Sequence, residues 1–571
     1  GRYIYYSEDV YPGGYFQYNK DPNSQIYVIK RYDRQEGRSE TVVRGPGGAV
    51  RPQLSHDGQR LAFVRRIRTQ SVLFIHHLET GEEYPIYEKL SKDQQEAWAI
   101  FGCYPGFAWT PDDREIIIWA KGKLRKINVA DQTASTIPFS VRAEHRIADI
   151  VRFQQPVAPN QFTARAIRQA VTAPDGQSLV FNAVGQLWRR SLPEGRPERL
   201  TQATDLEFEA NFSPDGQQLV YVTWTDEDLG ALYVRDLQTG VSKRISEKKG
   251  IYRTPSFSPD GQKIVFRKEG GNGHQGFLYT KKPGLYWIAT EGGPEHFICA
   301  EGQVPQFSAD GQRIFYQTGG FIFGSLKKAM KSVQPDGSDE RTLFNTSYAT
   351  NFTPSPDNRW VAFTELFKVY IAPMPQTGQA IGISADTRAV PVAQVARDAG
   401  GSLHWSADSK TLHWTMGEEY YSAALTERFT FLEGAVDSLP PLDTVGMSIG
   451  LVLESDVPEG QIAFTNARII TMKGDEVIEN GTLLVAGNRI VAVGKKGAVK
   501  LSREVTQIDC RGKTIMPGLV DVHAHLGAFR SGLSPQKHWQ YYANLAYGVT
   551  TTHDPSSNSE MTFSQSEMVR S

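Results

Sequence analysis

The stretch "SFSPDGQKIVFR" (residues 256–267) decides how most of this chain folds. A short apolar segment leads into Ser-Pro-Asp-Gly, and alternating polar and apolar residues follow. Pro259 fixes φ at the first turn position, Asp260 can accept hydrogen bonds from the backbone, and Gly261 adopts positive φ without a Cβ clash. The stretch therefore predicts a β-hairpin with a tight turn.

Variants of this hairpin occur eight times between residues 53 and 415, at spacings of 40 to 63 residues. Further strand-like segments follow each hairpin, such as residues 231–237 and 242–246. Four strands per unit of about 40 to 50 residues is typical of a β-propeller blade. The repeats predict a mainly β protein with a propeller of about eight blades over residues 1–425, beginning partway through a blade.

Three of the hairpin turns lack glycine at the position that needs positive φ. Asn358 tolerates this left-handed conformation, because its short polar side chain can bond locally. Asp113 and Ser409 fit it less well, so we expect the turns at these two residues to differ from the others.

The composition is that of an ordinary globular protein. The chain has 571 residues, 62 basic and 63 acidic side chains, and a formal net charge of −1. This balance gives no reason to expect nucleic acid as a partner. The longest near-apolar stretch, residues 97–109, is broken by glycine and proline and is shorter than the roughly 20 residues that span a bilayer. Three scattered cysteines (Cys103, Cys299 and Cys510) predict free thiols.

Two short motifs are better explained by the propeller than by catalysis. "GNGHQG" (271–276) fits the dinucleotide-binding pattern, but the residues after it indicate strands, where that pattern needs a helix. "GMSIG" (446–450) fits the pattern around the nucleophile of serine hydrolases, but no helix is indicated after Ser448. We expect a blade loop at the first motif and no nucleophile at the second.

From Gln461 the pattern changes to short alternating strands joined by strong turn dipeptides. After a linker at 426–460, residues 461–515 predict a small antiparallel β domain. Next comes "PGLVDVHAHLG", where Asp521, His523 and His525 alternate and would share one face of a strand. Imidazole is a ligand for divalent transition metals, and two on one face can converge on one ion.

The following residues predict a β-α-β unit. Ser534 and Pro535 can begin a helix, and apolar residues over 539–546 repeat at helical spacing. "VTTTHD" (549–554) predicts the second strand. It ends in His553, which is either a substrate contact or a structural histidine.

Several of these segments resemble known families. "NARIIT", "ENGTLLVAGNRIVAVG" and "IDCRGKTIMPGLVDVHAHLG" together resemble the start of the metal-dependent amidohydrolase superfamily, and "FSPDGQKIVF" resembles the repeat of TolB-like, WD-repeat-like propellers. The resemblance implies a small β-sandwich over 461–515 and the start of a (β/α)8 barrel over 516–571. It also implies that His523 and His525, from barrel strand 1, bind one or two divalent ions, with zinc expected.

Two strands cannot close an eight-stranded barrel, and a hydrolytic zinc site normally has three protein ligands. We therefore expect this chain to be a fragment, inactive alone, with catalytic residues beyond Ser571. The resemblance implies hydrolysis of carbon–nitrogen bonds in peptides, cyclic amides or other small molecules, with a propeller that gates or docks substrate. The alternative is a non-catalytic propeller scaffold with a degenerate barrel.

The resemblance also sets expectations for partners and location. No nucleic acid or membrane span is expected, and the rest of the barrel would come either from a companion chain or from further residues, with a homo-oligomer as another option. The TolB-like repeat implies the periplasm or cell envelope, with the cytoplasm as the alternative.

Overall fold

The computed structural model describes residues 1–11, 20–97, 102–151, 156, 159–272, 277–319, 328–526, 532–555 and 557–571. Its contacts divide the chain into two compact units, Gly1–Phe153 and Gln154–Ser571. Regular structure is nearly all β, as predicted, with two α-helices near the C-terminus of the described chain. The boundary between the units falls inside the region that the repeats predict to be one propeller.

The first unit contains three antiparallel sheets, of three, four and four strands. In sequence order their strands are Tyr3–Asp9, Tyr27–Asp33 and Arg38–Val43; Val50–Leu54, Arg60–Ile67, Gln70–His77 and Glu83–Tyr87; and Ala108–Trp109, Glu115–Ala120, Lys123–Asn128 and Ala134–Ile137.

The second unit contains six antiparallel sheets, here called blades 1 to 6, that contact one another in sequence order. The first strand of blade 1, Arg168–Thr172, also contacts the first strand of blade 6, Gly401–Trp405, so the sheets form a closed ring. The predicted β-propeller is confirmed. The ring has six blades where about eight were expected, because the repeats before residue 153 belong to the other unit.

The blades have these strands, innermost first: Arg168–Thr172, Ser178–Ala183, Gln186–Ser191, Glu198–Arg199; Leu206–Phe212, Gln218–Thr225, Leu229–Asp236, Ser242–Arg244; Ile251–Phe257, Lys263–Glu269, Gly284–Ala289, His296–Cys299; Gln303–Phe307, Ile314–Gly319, Lys328–Val333, Arg341–Thr346; Ala349–Pro354, Trp360–Glu365, Lys368–Pro373, Ala393–Gln394; Gly401–Trp405, Thr411–Met416, Glu419–Ala424, Met447–Ser448. Ile381–Gly382 adds a parallel fifth strand to blade 4. Gly271–Asn272 pairs with Phe277–Leu278 beside blade 3, while residues 273–276 of the glycine-rich motif lie outside the described residues.

The apolar core of the ring lies between neighbouring blades. A separate cluster of buried side chains fills each of the six interfaces, and one of them joins Phe181 of blade 1 to Tyr420 of blade 6. Each large apolar side chain buried in this way contributes about 1.5–3 kcal/mol. The ring is therefore stabilised by stacking of successive sheets, including the last on the first.

The hairpin turns follow the sequence prediction closely. In blade 2, Ser213 Oγ donates to Asp215 Oδ1 over 2.6 Å, and the same oxygen accepts from the N–H of Gln217 over 3.0 Å. Gly216 has φ of +71°. The turn residues thus bond to one another, as the Ser-Pro-Asp-Gly pattern predicts.

The turns at Asp113 and Ser409 do not differ from the others, contrary to expectation. Their φ values are +55° and +61°, close to the +57° of Asn358. Each of these side chains accepts a backbone N–H from the turn of the preceding sheet: Asp113 from His56, and Asn358 from Ala309. This bond offsets part of the roughly 1–2 kcal/mol that a left-handed conformation costs a residue with Cβ.

The segment 426–460, expected to be a linker, contributes strands to the ring. Met447–Ser448 is the fourth strand of blade 6, and Val452–Glu454 pairs with Gln161–Thr163, which precedes blade 1. The residues on either side of the ring therefore also meet. Ser448 lies on a blade-edge strand and is followed by another strand, so it lacks the strand-to-helix turn of a hydrolase nucleophile.

The small C-terminal β domain is one mixed sheet, not the antiparallel one expected. Its strands Gln461–Ile470, Val477–Ala486 and Arg489–Lys495 pair antiparallel. Thr506–Asp509 and Thr514–Ile515 instead pair parallel to the first strand. The chain after residue 495 returns to the free edge of that strand, and this connection makes the added pairing parallel.

The last elements form the predicted β-α-β unit and one further helix. They are β1 (Leu519–Asp521), α1 (Trp539–Ala546), β2 (Val549–Thr552) and α2 (Ser559–Arg570), and β1 pairs parallel with β2. The helix α1 has no buried residue, and Val520 and Val522 are 61% and 71% exposed. The apolar faces expected to pack in a barrel are thus uncovered here.

Two further expectations concern cysteines and membrane spans. All three cysteines are free, with Cys103 and Cys510 buried and Cys299 partly buried. Among the described residues, no helix combines the length and apolarity needed to cross a membrane.

Candidate metal centre

The candidate histidines lie just beyond β1, not on it as expected. The strand ends at Asp521, whose Oδ1 accepts a hydrogen bond from the N–H of His523 over 2.9 Å. The carbonyl oxygen of Asp521 accepts from the N–H of His553 over 2.8 Å. Asp521 therefore turns the chain at the carboxyl end of the strand, which is where barrel enzymes carry their functional side chains.

The imidazole rings of His523 and His525 converge as predicted. Their Nε2 atoms are 3.0 Å apart, and the ring planes make an angle of 75°. Two nitrogens bound to one zinc ion at about 2.1 Å would be separated by roughly 3.3 Å in tetrahedral geometry. The observed pair fits that arrangement, since both side chains are exposed and direct the same atom to one point.

A carboxylate stands behind one of the two rings. The Nδ1 atom of His525 lies 3.7 Å from Asp554 Oδ1, and the Asp554 side chain is 11% exposed. The other carboxylate oxygen accepts from the N–H of Leu526 over 3.2 Å, which fixes its position. A carboxylate on the Nδ1 side leaves Nε2 for a metal, a common arrangement for histidine ligands.

His553 lies next to this loop and supports it through backbone bonds. Its carbonyl oxygen accepts from the N–H of Ala524 over 2.9 Å, and its Nδ1 is 3.3 Å from the carbonyl oxygen of Val522. These contacts are structural. Its other ring nitrogen leaves a substrate contact as a prediction.

The remainder of a metal site is not present in the part of the chain that the structure describes. No group of three or more His, Cys, Asp or Glu side chains there is placed to hold a metal ion. Gly527, which ends the "DVHAHLG" motif, lies outside the described residues.

The segment between the histidines and α1 packs against the propeller, which the sequence did not indicate. Leu533 is fully buried in the cluster between blades 2 and 3. Asp226 of blade 2 accepts from the N–H groups of Gln536 and Lys537 over 3.0 and 2.7 Å. These contacts hold the chain extended, and α1 therefore begins at Trp539 where Ser534 was expected to start it.

The helix α2 packs on the same part of the ring. Glu560 accepts from Arg168 Nε over 2.9 Å, and Ser564 Oγ lies 3.2 Å from Arg168 Nη1. The carboxylate of Glu567 accepts the N–H groups of Arg165 and Ala166. Burial raises the pKa of Glu567, although these hydrogen bonds oppose the shift.

Sequence reasoning missed α2 and its contacts with the propeller. The Asn558 side chain accepts from the N–H of Met561 over 3.0 Å, an N-cap that the sequence "NSEM" could have revealed. No local pattern identifies the partners in blade 1, because those contacts join residues about 400 positions apart.

Comparisons with known proteins add the following. A family profile described as TolB beta propeller domain matches residues 171–370. A dihydroorotase of Wolbachia sp. subsp. Drosophila simulans (strain wRi) is 38% identical over 104 residues, 18% of this chain and 22% of that protein. An imidazolonepropionase of Stenotrophomonas maltophilia (strain R551-3) is 42% identical over 65 residues, 11% of this chain and 16% of that protein. The chain spans less than a quarter of the length of these curated relatives.

Among solved structures, TolB from Acinetobacter baumannii is 17% identical. The match covers 48% of this chain and 60% of that one, with a TM-score of 0.19.

Proposed function

Because the chain joins a TolB-type β-propeller domain to short segments similar to amidohydrolase-superfamily enzymes, we propose that the protein is a metal-dependent hydrolase of carbon–nitrogen bonds. The observation that carries this proposal is the convergence of the His523 and His525 Nε2 atoms at 3.0 Å. The local sequence matches support an enzyme of this family at a coarse level, and the metal and its ligands are our inference.

In this proposal the two imidazoles hold a divalent ion, with zinc expected and a second ion possible in the superfamily pattern. Such an ion would lower the pKa of bound water and polarise the scissile carbonyl. Asp554 orients the His525 ring, and Asp521 fixes the loop that carries His523. Further ligands and the carboxylate that moves the proton would come from residues after Ser571 or from a companion chain.

Peptides, cyclic amides or other small amides are the substrates we propose. The propeller then either restricts access to the metal centre or docks substrate, and His553 is a substrate contact of secondary weight. We place the protein in the periplasm or cell envelope, on the resemblance of its repeats to TolB. No nucleic acid is proposed as a partner.

The test uses the full-length protein with His523→Ala and His525→Ala, and His145→Ala as a control at an exposed histidine remote in sequence. Metal content and turnover of a panel of short peptides and cyclic amides are measured. We expect both single variants to lose bound metal and at least 100-fold in turnover, with the control unchanged. Wild-type protein that binds no divalent metal would favour the scaffold alternative.

A further inference from the structure

We infer that the central channel of the six-bladed ring is the route by which substrate reaches the metal centre, and that it selects an extended, uncharged peptide chain. This inference rests on the proposed function and specifies what the propeller does for it. It follows from the shape of the channel, from what closes one end of it, and from the chemistry of its wall.

The channel is continuous through the ring. One cavity of about 340 Å³ is lined by residues near the start of all six innermost strands, and another of about 410 Å³ by residues nearer their ends. The two cavities share one residue from every blade: Val171, Asn211, Ser256, Gln306, Thr353 and Leu403. A passage therefore runs the length of the innermost strands.

The inner end of this channel is formed partly by the segments that carry the metal centre. Gly532, Asn558 and Glu560 line the first cavity together with the blades. The carbonyl oxygen of Gly532 accepts from Gln169 Nε2 over 2.8 Å. Asn558 comes four residues after Asp554, so their Cα atoms are at most about 14 Å apart. The channel thus opens close to the carboxylate behind His525.

The innermost strands give the channel wall a polar backbone. Each strand has a register shift near its start, with a non-glycine residue at positive φ in every blade. A bulge leaves one residue outside the strand pairing, so its N–H and C=O groups are released from the ladder. These positions are Gln169, Glu209, Thr254, Val304, Asn351 and Ser402.

The side chains of the wall carry little net charge. The acidic residues that line the inner cavity are Glu209 and Glu560, and each is paired with an arginine, Arg253 at 2.7 Å and Arg168 at 2.9 Å. The only titratable residue lining the outer cavity is His404. A polar, electrically balanced passage suits the alternating N–H and C=O groups of a peptide better than an ionic polymer.

The outer end is the face that carries the hairpin turns. The second turn residue lines the outer cavity in all six blades: Pro174, Pro214, Pro259, Ala309, Pro356 and Ala407. Four prolines make this rim stiff, since their φ is fixed. The two alanines are exposed and are therefore sites where the entrance can be narrowed without disturbing the core.

The experiment compares full-length wild type with the double variant Ala309→Trp/Ala407→Trp. The control is Gln238→Trp, which adds the same side chain at an exposed turn on the outer edge of blade 2. Turnover is measured on neutral ten-residue peptides, on matched poly-acidic peptides and on a small cyclic amide. We expect the double variant to lose at least tenfold in kcat/KM for the neutral peptide, with the control and the metal content unchanged. Wild-type turnover of that peptide by the double variant would overturn the inference.

A second measurement separates this inference from the proposed function. A neutral peptide with a photoreactive benzophenone is cross-linked to the wild-type protein, and the attachment sites are mapped. Sites on the innermost strands support the passage even if the protein proves catalytically inactive, which would contradict only the proposed function. Sites confined to outer strands, or equal labelling by a poly-acidic peptide, contradict the passage or its selectivity.

Discussion

His404 on the innermost strand of blade 6 is hydrogen-bonded to Thr172 on the innermost strand of blade 1, with Nε2 and Oγ1 2.7 Å apart. His404 Nδ1 lies 2.7 Å from the carbonyl of Ser402 and must donate there, so Nε2 accepts from the Thr172 hydroxyl. The same hydroxyl oxygen then accepts from Tyr420, whose oxygen accepts from His413 Nδ1. A directed chain of hydrogen bonds thus helps to join the last blade to the first.

This chain predicts acid sensitivity of the ring. Burial, with a smaller effect of His413, lowers the pKa of His404 to about 3, and burial lowers the pKa of His413 to about 4. Because both values lie below the ordinary histidine pKa of about 6.5, their contribution to stability is complete above that pH and is lost as the pH falls toward 4 and 3. We expect the midpoint of thermal unfolding to fall from pH 7 to pH 5.

The matched variant is His404→Gln, which retains polar groups but does not titrate. Calorimetry at pH 5 to 8 should show a lower midpoint at pH 7 and a weaker dependence on pH than in the wild type. An identical slope in both proteins would show that His404 is not the group responsible.

The turn at Asn358 predicts an order of stabilities. Its φ is +57° and its Oδ1 accepts the N–H of Ala309 over 2.5 Å. Asn358→Gly removes that bond at a cost of about 1 kcal/mol, and Asn358→Ala adds about 1–2 kcal/mol for the left-handed conformation. Denaturant unfolding should rank the proteins wild type, Gly, Ala. An alanine variant as stable as the wild type would disprove this account of the turn.

The contact of α2 with the propeller predicts a difference between two variants of Glu567. Leucine at this position leaves the N–H groups of Arg165 and Ala166 without their acceptor, at about 1–3 kcal/mol each. Glutamine keeps an oxygen that can accept. Hydrogen exchange of the α2 amides should therefore be much faster in Glu567→Leu and nearly unchanged in Glu567→Gln. Equal exchange in both variants would mean that α2 is held by other contacts.

Asp554 predicts a graded effect on metal affinity. If its carboxylate orients His525, Asp554→Asn in the full-length protein should weaken metal binding about 10- to 100-fold without abolishing it. Competition with a chromophoric chelator measures this shift. His553→Ala, whose ring contacts a backbone carbonyl, is the control and should change affinity less than Asp554→Asn.

Much of the propeller was predictable because each hairpin is encoded locally. The Ser-Pro-Asp-Gly turn at residues 213–216 has the bonds and the φ that its sequence indicates. The closure of the ring was not, since the contact of Arg168–Thr172 with Gly401–Trp405 joins residues far apart in sequence. Blade number depends on such contacts, and repeats alone do not contain them.

The candidate site was predictable in part for the same reason. Alternation along "DVHAHLG" correctly brings the His523 and His525 rings together. It did not reveal that Asp521 ends the strand, or that Leu533 is held by the propeller and delays the start of α1. These outcomes depend on tertiary contacts that override the local helix signal at Ser534 and Pro535.

The most direct test of a metal held by these two imidazoles is zinc-edge X-ray absorption on the full-length protein. We expect imidazole nitrogens at about 2.0–2.1 Å from the ion, and loss of the bound zinc in the His523→Ala/His525→Ala double variant. A double variant that retains its zinc with an unchanged spectrum would contradict the assignment.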